Sequence, residues 1–144
     1  MKTLQIGVIA VAVTLATTAL ASNYALEEIP QAIPTDAAVK LKGAGITTTF
    51  QLLEKASDPK TRHELAHATK LPEKTLEGWV QMADVLRIKG VGPDVAHLLA
   101  ACNVRTVAQL KTQDAAKLTD EILKVNSRLH LSENPPSVEH LQAW

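Results

Sequence analysis

Apolar positions in this chain recur at helical rather than strand spacing. Leu76, Trp79, Val80, Ala83 and Leu86 fall near i, i+3, i+4 and i+7, and Val95, Leu98, Leu99 and Cys102 repeat that spacing further on. A third stripe joins Arg62, Leu65, Ala66 and Thr69. Runs alternating apolar and polar residues with β-branched side chains are missing, and aromatic residues make up only 3% of the chain, so the pattern predicts an all-α protein. The first 21 residues differ. Ile6 to Leu20 is mostly apolar without a charge, Lys2 precedes it, and Ala19-Leu20-Ala21 has the small-residue spacing of a signal-peptidase site. The run is shorter than the ~20 residues a membrane span needs. These features predict a signal peptide over 1–21, cleavage after Ala21, and a periplasmic or secreted protein with no stable membrane span. An uncleaved anchor is the alternative. No Cys follows the cleavage site, which argues against a lipid anchor. Residues 22–34, with Pro30 and Pro34, read as a linker, and 35–144 as the folded domain.

The loop between the two best-defined stripes is Ile88-Lys89-Gly90-Val91-Gly92-Pro93-Asp94-Val95-Ala96. Gly90 and Gly92 suit tight or left-handed backbone, Pro93 suits the first position of a new helix, and Ala96 lets two helices approach closely. The run resembles a helix-hairpin-helix turn. That resemblance implies a phosphate-binding loop, with the amides around Lys89, Gly90, Val91 and Gly92 aimed at a helix N-terminus. Lys or Arg often follows the Gly-hydrophobic-Gly-Pro run in that family. Here the position is Asp94, which favours the helix dipole and repels phosphate. The plain structural reading is a hairpin that packs two helices.

The domain also contains a weak internal repeat. Gly45-Ile46-Thr47-Thr48-Thr49-Phe50-Gln51-Leu52 aligns with Asn103-Val104-Arg105-Thr106-Val107-Ala108-Gln109-Leu110 at an offset of 58 residues. Gly and Asn best tolerate a left-handed helix end, and the threonines are candidate caps for the following helix. Leu76-Glu77-Gly78-Trp79 resembles Leu141-Gln142-Ala143-Trp144 at an offset of 65. Two halves that each lack a sufficient core are expected to fold as one unit. Trp79 and Trp144 read as core residues rather than partner anchors.

The run Leu41-Lys42-Gly43-Ala44-Gly45-Ile46-Thr47-Thr48, then Arg62, Leu65, Ala66 and Thr69, then Trp79, Ala83-Asp84 and Arg87-Ile88-Lys89-Gly90-Val91-Gly92 resembles an uncharacterised family. It is the one known as domain of unknown function 4332, whose members are similar to tandem helix-hairpin-helix domains. The resemblance covers the chain from about Asp36 onward. It implies tandem helix-hairpin-helix repeats packed as one compact helical domain, and no established activity. Asn103 and Asp94 depart from the usual hairpin pattern.

Charge narrows the partner classes. The full chain carries 15 basic and 15 acidic side chains, and loss of Lys2 leaves an acidic excess. Nucleic-acid modules usually show a basic surplus. A local stripe is still available, because Lys40, Lys42, Arg87, Lys89 and Arg105 lie near turns in the sequence. The candidate phosphate or partner loops are therefore Lys42-Gly43 with Gly45, and Lys89 to Gly92. The lone Cys102 has no partner for a disulfide and sits on an apolar stripe, as a small core residue would.

His63-Glu64-Leu65-Ala66-His67 matches H-E-x-x-H, in which two histidines one turn apart bind zinc and the glutamate acts as base. The core stripe on this stretch places His63, Glu64 and His67 roughly 110–150° away, toward solvent. Glu73, Glu77 and His97 are the available third ligands. A helical chain this short leaves little room for a substrate cleft, so the match reads as fortuitous, with weak surface zinc or copper binding by His63 and His67 as the residual metal chemistry. No glycine-rich nucleotide loop or nucleophile elbow occurs, and no cofactor is expected. The sequence reads best as an exported, non-enzymatic interaction module with a protein partner. DNA binding through the hairpin loops is the alternative.

Overall fold

Several turns of this chain are written in a few residues that use up backbone groups a helix end leaves free. The computed structural model describes residues 22–144, and the expected signal peptide lies outside them. The elements are a 3-10 turn at Leu26–Glu28, then α1 (Thr35–Gly43), α2 (Thr49–Ala56), α3 (Pro59–Thr69), α4 (Glu73–Leu86), α5 (Pro93–Ala101), α6 (Val107–Leu110), α7 (Ala115–Leu129) and α8 (Val138–Ala143). Among the described residues the extended pairing consists of an isolated bridge between Ala25 and Thr48. The protein is all-helical, as the periodicity predicts.

The internal repeat has a structural counterpart at matching atoms. Gly45 (φ +80°) ends the turn after α1, where Ile46 N–H donates to Leu41 C=O at 2.9 Å. Asn103 (φ +61°) does the same after α5, where Val104 N–H donates to Leu99 C=O at 2.8 Å. The hydroxyl of Thr48 accepts from Gln51 N–H, and the Gln51 side chain accepts from Thr47 N–H. Thr106, Gln109 and Arg105 reproduce that reciprocal pair 58 residues later. The arrangement is a variant of the capping box, with the return bond one residue earlier than usual. Asp58 and Asp114 then cap α3 and α7, which both end on a left-handed residue, Lys70 and His130. Helices α1–α4 and α5–α8 thus form two similar runs.

One core serves both runs. Leu41, Leu52, Leu76 and Leu86 from the first, and Leu98, Leu99, Leu118 and Ile122 from the second, are all at most 2% exposed and belong to a single cluster. Burying each such side chain contributes about 1.5–3 kcal/mol, and the two runs share them in one cluster. Helix α4 packs against α2, α3 and α5, so it lies at the junction. Asp84 ties the runs together: one carboxylate oxygen accepts from Val107 N–H at 2.8 Å and the other from Arg87 Nε at 2.8 Å.

The segment 22–34 is not a linker. Leu26, Ile29 and Ile33 are each 2% exposed within the same core. Leu26 N–H donates to Thr47 C=O, and Thr49 N–H to Tyr24 C=O, both at 2.9 Å. The two prolines interrupt regular helix, yet the 3-and-4 spacing of Leu26, Ile29 and Ile33 still carries these side chains inward. No helix among the described residues is long and apolar enough to cross a membrane.

Candidate functional site

Of the two loops expected to hold phosphate, the one after α1 has its amides engaged within the fold, and in the one before α5 the Val91 amide is engaged. After α1, the N–H groups of Ala44, Gly45 and Ile46 donate to Leu41 and Lys42 carbonyls, and Thr47 N–H donates to the Gln51 side chain. Lys42, Gly43 and Gly45 are exposed, and the Lys55 ammonium sits 3.5 Å from Gly45 C=O. Between α4 and α5, Gly90 adopts φ +93° and Val91 N–H donates to Ile88 C=O at 3.1 Å. Val91 is fully buried, and its carbonyl accepts from the Tyr24 hydroxyl at 3.2 Å. Lys89 and Gly90 are exposed.

The start of α5 already has an anion. A Cβ placed on Gly92 would lie 3.0 Å from Asp94 Oδ1, so this carboxylate folds back over the first turn. The Ser132 hydroxyl donates to Asp94 Oδ2 and holds it there. Among the described residues this carboxylate accepts from Ser132 and from no first-turn amide, and its negative charge opposes a phosphate at this helix N-terminus. Trp144 covers the other side, with Nε1 at 3.6 Å from where a Gly90 Cβ would stand. Its indole stacks on His140, with ring centroids 6.2 Å apart. Trp79 and Trp144 are both half-buried against the core.

Helix α3 has the phase the sequence predicts. Thr69 is buried, Arg62, Leu65 and Ala66 are half-buried, and His63, Glu64 and His67 are exposed. Among the described residues, no three His, Cys, Asp or Glu side chains converge as a metal-binding group. Glu73 reaches His63 all the same, with Oε2 at 2.9 Å from Nδ1. Cys102 is buried, and burial together with the nearby charge of Glu121 pushes its thiol from 9.0 up to about 11. It is therefore a neutral, unreactive thiol at neutral pH.

A concave surface that the sequence did not reveal lies between α4 and the α5–α6 turn. It is a cleft of about 290 Å³ over Val85, Ala96 and Val104, walled by Trp79 and Met82, with Gln81, His97 and Arg105 also lining it. Among the described residues Arg105 takes part in neither the Arg87–Asp84 ion pair nor the His63–Glu73 contact. Gly78 opens onto the same cleft. A Cβ there would meet nothing within 4 Å, and its φ lies outside the left-handed range. Neither packing nor backbone conformation calls for glycine, although glycine costs a helix interior about 1 kcal/mol relative to alanine. The cleft escapes a sequence reading because it joins helices from the two runs. Its one sequence signal is the glycine inside an otherwise regular helix.

A family model described as domain of unknown function (DUF4332) matches residues 31–144. No curated protein matches the chain, and no solved structure matches it.

Proposed function

The chain belongs to the DUF4332 family, and from that premise we propose that it is a non-enzymatic interaction module whose partner, another protein, docks in the cleft along α4. One observation carries this reading. Gly78 is a mid-helix glycine that the fold itself does not require, and it borders an apolar cleft with an Arg105 guanidinium outside the ion pairs found among the described residues. Glycine on a helix allows close approach by another chain, and an apolar floor with an arginine is the composition of a recognition surface. The two runs of helices and their glycine-rich turns support a tandem helix-hairpin-helix description, used here for assembly rather than for phosphate. The leader-like first 21 residues support action outside the cytoplasm.

The test compares wild type with Gly78→Leu and Gly78→Ala in a pull-down from the natural host. The leucine variant fills the cleft and is expected to lose partners that wild type retains. The alanine variant should fold at least as stably as wild type. Identical partners on wild type and Gly78→Leu would defeat the proposal. A DNA duplex titrated at low salt should show no retention, given Asp94 over the start of α5. Retention that falls steeply with salt and weakens in Lys89→Glu would replace this reading with nucleic-acid binding.

A further inference from the structure

The H-E-x-x-H stretch has chemistry that the partner-binding reading does not use. We propose that α3 carries a surface site for one divalent transition-metal ion, Cu2+ foremost, bound by His63 and His67 with Glu73 orienting the His63 ring. The site is independent of the cleft along α4.

Three observations combine. Residues four apart on a helix are neighbours, with Cβ atoms about 5–6 Å apart, so one ion reaches both imidazoles. Both histidines are exposed, and neither is needed by the core. The His63 Nδ1 lies 2.9 Å from Glu73 Oε2, a residue on the next helix. An imidazole that gives its Nδ1–H to a carboxylate keeps its Nε2 lone pair free and in a defined direction. This contact is tertiary. Lys70 in the left-handed conformation ends α3, and buried Leu71 with Pro72 turns the chain so that Glu73, at the start of α4, comes back over His63. An isolated helical peptide with the same two histidines lacks that support.

Chemistry then selects the ion. Two imidazoles and no thiolate suit Cu2+ and Zn2+, and Cu2+ binds nitrogen ligands most tightly among the first-row divalent ions. With two protein ligands, water fills the remaining positions. The intervening Glu64 shares the exposed side of α3.

The experiment titrates CuSO4, and separately ZnSO4, into the tag-free full chain by calorimetry, with electron paramagnetic resonance on the copper form. One ion per chain is expected, with copper tighter than zinc and two nitrogen ligands in the copper spectrum. His67→Ala should weaken copper at least tenfold, and Glu73→Gln by about tenfold, the usual loss on removing a carboxylate behind a metal-bound histidine. All these side chains are exposed or half-exposed, so circular dichroism should be unchanged in each variant. A one-nitrogen spectrum, or wild-type affinity in His67→Ala, overturns the site. Wild-type affinity in Glu73→Gln overturns the orienting role of Glu73.

Discussion

At the scale of single residues, two positions 58 apart face the same demand with different side chains. Gly45 and Asn103 both hold positive φ at the end of a helix. Asn103→Gly should therefore leave stability within a few tenths of a kcal/mol. Gly45→Ala should lose about 1–2 kcal/mol, because a Cβ is strained in that conformation. Urea denaturation measures both. Cys102 supplies a pH prediction. Its folded thiol titrates near 11 rather than 9.0, so the protonated form is favoured in the fold. That contribution is complete below about pH 9 and is lost as pH rises toward 11. Denaturation midpoints should fall over that window more steeply in wild type than in Cys102→Ala. These residue-level features were legible beforehand: a Gly/Asn pair at one register and a cysteine on an apolar stripe each have one dominant physical explanation. The position of Asp94 was legible too, but the hydroxyl that holds it was not. Ser132 is 38 residues away, and nothing local links the two.

Helices and their ends form the next scale. The Thr48–Gln51 and Thr106–Gln109 pairs each satisfy two amides that a short helix leaves open. Thr106→Ala should cost about 1 kcal/mol, the usual value of a lost cap. Asp84→Ala should cost more, about 1–3 kcal/mol, because it leaves the part-buried Val107 N–H without its acceptor. The melting temperature of each variant ranks them. Hydrophobic spacing located α3, α4 and α5 and the correct outward face of α3, since 3.6-residue periodicity is a local property. The same reasoning failed at 22–34, where two prolines suppressed the helical signal. Leu26, Ile29 and Ile33 were visible there as an apolar triplet, yet a 3-10 turn and a bend bring them inward without a helix long enough to show a period.

For the whole molecule, the shared core means that the two runs should not unfold separately. A single cooperative transition is expected, with tryptophan fluorescence and far-ultraviolet dichroism coinciding. Deleting residues 22–33 removes the buried Leu26, Ile29 and Ile33 side chains, about 1.5–3 kcal/mol each, along with the smaller Ala32. Against a typical total of about 5–15 kcal/mol, that deletion should abolish the transition or lower it sharply, whereas loss of a mere linker would leave it in place. The cleft beside Gly78 also belongs to this scale. It exists only because α4 from one run meets α5 and the turn before α6 from the other, and the only local mark of that junction in the sequence is Gly78 itself.

The turn between α4 and α5 has one more consequence. Ser22 N–H donates to Arg87 C=O, the Tyr24 hydroxyl to Val91 C=O, and the Trp144 indole lies against Gly90. Residues far apart along the chain, 22 and 144, therefore meet over one five-residue turn. A circularly permuted protein, closed there and reopened in the exposed stretch at Glu133-Asn134, should fold to the same helical content. That outcome would make chain order separable from architecture, with the turn first read as a grip for phosphate acting as the clasp between the two segments.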